Sequence, residues 1–172
     1  MGAGGSLPAT GWRGMLLETI ADPSSQVHMM GAGNELRKDD AVGLEIIASL
    51  RSRLGSAPAP GIKIYASSPM PERLLAKLAS KGGRILVFDA VEASGMPGEV
   101  VFRSLADTKY GFFGTHNIPL RLVPGLTARL DDVFLVGVQP ASLEVGLGLT
   151  CEVRESVRDI VGVVAEGVAR RE

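Results

Sequence analysis

The sequence predicts an α/β fold of three layers: an open, mostly parallel five-stranded sheet with helices on both faces and one antiparallel edge strand. Two patterns carry this expectation. Short apolar runs typical of strands alternate along the chain with segments of helical period, which is the signature of strand–helix–strand units. In addition, "RILVFDAV" (residues 84–91) is apolar almost throughout, as a central parallel strand covered on both faces must be.

The elements follow in order. "RGMLLETIAD" (13–22) sets Met15, Leu16, Thr19 and Ile20 on one side of a short helix that ends before Pro23. "QVHMM" (26–30) is a buried strand broken at Gly31 and Gly33. From Asp40 the period changes: Gly43, Ile47, Leu50 and Leu54 share one face of a helix, with Gly55 placed to stop it. "IKIYA" (62–66) alternates like a strand, and "PERLLAKLASKGG" (71–83) opens a helix on Pro71 and Glu72 and closes it on a glycine pair.

After residues 84–91, the short "MPGE" connection leads to "VVFRS" (100–104); so short a gap suits a hairpin, hence an antiparallel edge strand. Residues 120–130 hold Pro124 and Gly125 within a helical patch, which predicts an irregular or kinked segment. "DVFLVGVQ" (132–139) is a further buried strand. Thr150 is then set to cap a last helix whose Val153, Val157, Ile160, Val164 and Val168 face inward. The expected organisation is a flexible leader and short helix over residues 1–24, then a single α/β domain over 25–172.

Composition narrows the function classes. The 172 residues suffice for a core without disulfide or metal staples. Net charge is −1, with both signs mixed along the chain, so no basic stripe points to nucleic acid or an anionic membrane surface. No run approaches the roughly 18 apolar residues of a membrane helix. The first dozen residues lack the apolar core of a secretory signal, and "MGAGGS" is too short a pattern to argue for myristoylation. Cys151 is the sole cysteine, which fits a reducing, cytoplasmic setting and gives no thiolate cluster.

The stretch "GAGNELRKDD" (31–40) raises the choice between a phosphate loop and a cation site. Leu36 stands where the third glycine of G-x-G-x-x-G belongs, and no Lys-Ser or Lys-Thr follows. Aspartates at a helix entrance also repel phosphate. The glycines are explained by a tight turn and close backbone approach. Asp39 and Asp40 fit helix caps, and His116 in "FGTHNIPL" fits an ordinary loop histidine. Asp89, inside the apolar "LVFDAV", is harder to explain that way, because a buried carboxylate costs several kcal/mol unless it is paired or bound. If Asp40, Asp89 and His116 converge at the strands' carboxyl ends, they form a hard-to-borderline donor set suited to nickel, zinc, iron or manganese. His28 and Cys151 are read as structural, and no G-x-S-x-G elbow supports a serine hydrolase.

These pieces together resemble the [NiFe]-hydrogenase maturation endopeptidases. The likeness rests on "GAGNELRKDDAVG" (31–43), Pro71-Glu72, "VFDAVEASGMPGE" (87–99), "THNIPL" (115–120), "VFLVGVQP" (133–140) and "LGLT" with the final helix, in the family's order over about residues 25–170. "THNIPL" and "GVQP" look most like the branch that processes large subunits of the hydrogenase-3 or energy-converting type. The resemblance implies an aspartic-type endopeptidase that removes the C-terminal extension of a large-subunit precursor once nickel is in place. It implies Asp40, Asp89 and His116 as the metal ligands, with Asp40 or Asp89 acting on water if either does, and Asp39 as a capping or supporting group. It further implies no metal cofactor of the enzyme's own: nickel is met in the substrate, while zinc or cadmium fits the same donors. The implied partner is the precursor, without nucleic acid or membrane insertion, and a monomer is expected. Where many relatives carry an acid and paired glycines before "PE", this chain has Ala66, Ser67 and Ser68, and its N-terminal extension is longer than in the shortest members. A non-proteolytic, nickel-dependent checkpoint module and a nucleotide-binding α/β enzyme remain as other readings.

Overall fold

The apolar runs of the sequence become the middle of a sheet. The computed structural model describes residues 11–107, 112–113, 118–119 and 123–171. In chain order these form α1 (Trp12–Ala21), β1 (Val27–Gly31), a 3-10 turn (Lys38–Ala41), α2 (Val42–Leu54), β2 (Ile62–Ile64), α3 (Pro71–Ala79), β3 (Arg84–Ala90) and β4 (Val100–Ser104). Two short strands, β5 (Phe112–Phe113) and β6 (Ile118–Pro119), precede β7 (Val133–Val138) and α4 (Cys151–Ala169). The main sheet has five strands in the order β2-β1-β3-β7-β4. β2, β1, β3 and β7 run parallel, and β4 pairs antiparallel with β7 at the edge. The expected class is therefore the observed one. β5 and β6 make a separate antiparallel ribbon that carries too few residues to show a period.

Strand alternation divides the core into two halves. Met29, Leu86, Phe88, Val136 and Val138 pack toward α1, α2 and α4, whereas Met30, Ile85, Val87, Val133 and Leu135 pack toward α3 and the segment around Val123 and Leu126. Helices thus cover both faces. The short N-terminal helix buries Leu16, Thr19 and Ile20 and lies along α4, where a Cβ added at Gly167 would meet the Ile20 side chain at 2.8 Å. No described helix is long and apolar enough to cross a membrane.

Boundaries moved where local chemistry outweighed the period. α3 stops at Ala79 rather than reaching the glycine pair; Gly82 and Gly83, with φ of 78° and 81°, instead make the turn into β3. β2 is shorter than expected, although the Tyr65 amide still donates to Met29. Gly55 does end α2, at φ 81°. The patch expected to be irregular contains a 3-10 segment (Thr127–Asp132) interrupted at Arg129, whose φ is −134°.

Candidate active site

Four parallel strands end at the same edge of the sheet, and their following loops hold the residues of interest. After β1 the chain stays close to α2. A Cβ at Gly31 would meet the Gly43 carbonyl oxygen at 2.2 Å, and one at Gly33 would meet the Asp40 carbonyl oxygen at 2.4 Å. Both glycines therefore serve close approach, as their positions suggested. The loop is closed by its own hydrogen bonds: the Asn34 amide donates to the Asp40 carbonyl, the Asp40 amide to the Arg37 carbonyl, and the Leu36 amide to Asn34 Oδ1. Asp40 sits in the resulting 3-10 turn with 2% of its surface exposed.

Asp89 reaches the same edge from the centre of the sheet. It pairs across the ladder with Gly137, is fully buried, and accepts the Ala90 amide at Oδ1. Alternation sets it on the face shared by Ile85 and Val87. Gly43 links the two aspartates: a Cβ there would lie 2.1 Å from the Phe88 carbonyl oxygen and 2.2 Å from that of Ala32. Only a glycine lets the first turn of α2, which follows Asp40, rest on the backbone beside Asp89, and the 3-10 turn itself packs against β3. His116 lies outside the described residues, so the convergence of all three is not tested by the structure. Among the described residues alone, no group of three His, Cys, Asp or Glu side chains forms a metal site.

Asp39 has a different task from its neighbour. Neither the 3-10 turn nor α2 receives a side-chain cap from it. Its carboxylate accepts the amides of Ala141 (2.9 Å), Ser142 (3.0 Å) and Thr150 (2.7 Å) and also the Thr150 hydroxyl. Thr150 stands at the N-cap of α4 but gives its hydroxyl to Asp39 instead of capping the helix with it. Backbone bonds extend this pairing of loops, from Lys38 to Gly146 and from Gly146 to Leu36.

Gln139, at the end of β7, is a second such tie that sequence reasoning did not single out. Its Oε1 accepts the amides of Ala93 and Gly95, which fastens the loop after β3 to the loop after β7. Its place in "GVQP", where a polar residue directly follows a buried strand, was the available signal.

Of the residues read as structural, His28 lies toward the opposite end of β1 from this edge, while Cys151 directly follows Thr150. His28 is buried near the start of β1, with Nδ1 at 3.1 Å from the Tyr65 hydroxyl and Nε2 at 3.1 Å from the Gly82 carbonyl. Burial holds its imidazole below the usual histidine range, against the Gly82 carbonyl and with help from Lys81, Lys63 and Arg129. Cys151 is an exposed thiol at the first residue of α4. In the stretch Ala66-Ser67-Ser68, where an acid and paired glycines were the pattern to compare, Ala66 and Ser67 are exposed and Ser68 Oγ accepts the Met70 amide.

Comparison with known proteins agrees with the fold. The solved structure of HycI, a [NiFe] hydrogenase maturation protease from Thermococcus kodakarensis, is similar with a TM-score of 0.73 at 24% identity, covering 90% of this chain and 99% of that one. The hydrogenase maturating endopeptidase HybD of Escherichia coli superposes with a TM-score of 0.59 at 22% identity, over 81% of this chain and 89% of its own. A protein named as a candidate hydrogenase maturation protease from Methanocaldococcus jannaschii is 24% identical over 151 residues, 84% of this chain and 86% of that protein. The family model for HycI, hydrogenase maturation protease, matches residues 66–167 of the 172, from the loop after β2 through most of α4. More than half of the chain lies within that match, so the chain belongs to the hydrogenase maturation protease family and is an endopeptidase of hydrogenase maturation.

Proposed function

We propose that the enzyme removes the C-terminal extension of a [NiFe]-hydrogenase large-subunit precursor after nickel insertion, and that Asp40, Asp89 and His116 recognise the nickel held in that precursor. The observation that supports this most is the contact of Gly43 with the Phe88 carbonyl, which sets the turn bearing Asp40 against the strand bearing Asp89. Two buried carboxylates at one sheet edge supply hard oxygen donors, and an imidazole would complete a set with affinity for a divalent borderline ion. The ion belongs to the substrate; the enzyme contributes the open half of its coordination shell.

Cleavage then depends on position. Docking of the metal-bearing region holds the adjoining peptide bond at the strand ends, and a carboxylate there accepts the proton of an attacking water. Recognition comes first in this scheme, and Asp40 or Asp89 serves as the base. In the absence of precursor, three ligands with an unfilled shell hold metal weakly. The enzyme is therefore expected to be purified without a resident ion and to need none. The setting is expected to be the cytoplasm, with the enzyme monomeric.

The test is intact-mass analysis of the precursor after incubation with enzyme, with and without nickel loading. Loss of a C-terminal peptide from the loaded precursor alone is the expected result. Equal cleavage of both forms would remove nickel from the recognition step, and cleavage of neither would overturn the substrate assignment.

A further inference from the structure

The exposed large apolar side chains of the described residues are not scattered. Among the described residues they are Leu36, Met70, Met96, Val145 and Leu147, with Val145 86% exposed and Leu147 79% exposed. Each lies on a loop that leaves the carboxyl end of a parallel strand: Leu36 after β1, Met70 after β2, Met96 after β3, and Val145 and Leu147 after β7. Single exposed apolar residues are ordinary on a protein surface, but their collection around one edge is what a docking surface looks like.

Several polar groups of these loops tie one loop to another. Lys38 Nζ pairs with Glu144 Oε2 at 3.0 Å, and Arg37 Nε donates to the Leu143 carbonyl. Gly146 sits between the β1 and β7 loops in a bridge to Arg37, with hydrogen bonds to Lys38 and Leu36 on either side. Asp39 joins the same two loops, and Gln139 joins the β3 loop to the β7 loop. The Lys38–Glu144 pair and the Arg37 bond hold the two loops together, and Leu36, Val145 and Leu147 face water beside them. Because the backbone is already held, covering these side chains costs little further ordering.

We infer that Leu36, Val145 and Leu147, with Met96 and Met70 at the flanks, form the apolar seat on which the hydrogenase precursor docks, and that the precursor presents a complementary apolar patch beside the bond it loses. The inference rests on the reading of Asp40 and Asp89 as the site. The loop that carries Leu36 is the one that carries Asp40, and the loop that carries Met96 follows Asp89, so a polypeptide reaching these carboxylates meets the seat. A second copy of this chain is the competing occupant, and the test separates the two.

Binding is measured by interferometry on immobilised, nickel-loaded large-subunit precursor at 4 °C, with intact mass read alongside. The L36S/V145S/L147S variant is compared with wild type and with E155S/R158S on the exposed face of α4. The substituted side chains are exposed, so circular dichroism and melting should match wild type. Kd is expected to rise roughly tenfold or more in the triple variant and to stay unchanged in the α4 control. A Kd within about twofold of wild type would overturn the seat, as would a wild-type dimer that becomes monomeric in the triple variant without any change in precursor affinity. Cleavage with unaltered Kd sinks the seat and leaves the proteolytic reading intact; weakened binding without cleavage by any form does the reverse.

Discussion

Thr150 gives both its backbone amide, at 2.7 Å, and its hydroxyl to the carboxylate of Asp39, a residue 111 positions earlier. Together with the amides of Ala141 and Ser142, this makes Asp39 the point where the β1 and β7 loops are joined. The carboxylate is fully buried, so every one of these donors depends on it.

Asp39→Ala should therefore leave the amides of Ala141, Ser142 and Thr150 without their acceptor, at a cost of about 3 kcal/mol in urea unfolding. Asp39→Asn should lie between that variant and wild type, since one oxygen remains but an NH₂ group then faces amide donors. A variant of either kind with wild-type stability would show that water replaces the carboxylate without loss.

The neighbouring residue should behave in the opposite way. Asp40→Asn, Asp89→Asn and His116→Ala are each expected to retain cooperative melting while losing precursor cleavage by on the order of a hundredfold or more. Intact mass of the precursor gives the readout, and melting curves separate loss of chemistry from loss of fold. Full activity in any one of the three would remove that residue from the proposed site.

Much of this architecture was legible in the residues, and the limits have physical causes. β3 and β7 were readable because a strand covered on both faces must be apolar throughout, and β4 because a short connection cannot cross over the sheet. The two-residue strands β5 and β6 were not, since a period needs length. The local pattern "DD" predicted that two acids stand at a helix entrance but not that the first binds the N-cap of α4, because that bond joins residues far apart in sequence. Gln139 was hidden for the same reason: its partners Ala93 and Gly95 are backbone amides, which any residue supplies.

Gly43 is expected to be the least tolerant glycine of the β1–α2 unit. In Gly43→Ala the new methyl group would stand 2.1 Å from the Phe88 carbonyl oxygen and 2.2 Å from that of Ala32, both backbone atoms with little room to yield. The helix must then lift from the sheet, at a cost of about 1–3 kcal/mol. Lifting α2 also shifts the turn that carries Asp40, so cleavage should fall further than the stability loss explains. Gly55→Ala is the control: no atom stands within 4 Å of its added Cβ, and its φ of 81° restricts the harm to backbone strain at the end of α2. Equal activity losses in the two variants would break the link between Gly43 and the site.

The acid side of the stability profile should show two separate steps. His28 is held below the usual histidine range by burial, so the unfolded chain takes up a proton that the folded chain refuses. Its contribution is complete above the unfolded value near 6.5 and falls away as the pH drops through the folded value. Asp22 titrates far lower, its carboxyl brought down to about 2 by hydrogen bonds from Ser24 and Ser25, with Arg84 adding charge attraction. That contribution is complete above the unfolded carboxylate value of 3.8 and is lost progressively as the pH falls from there through about 2. Urea midpoints between pH 7.5 and 5 should therefore decline in wild type and decline less in His28→Gln, whose side chain keeps a donor and an acceptor near Tyr65 and Gly82. Asp22→Asn should leave that range unaltered and flatten the profile below pH 4. A His28→Gln profile parallel to wild type from pH 7.5 to 5 would show that the buried imidazole does not set the first step.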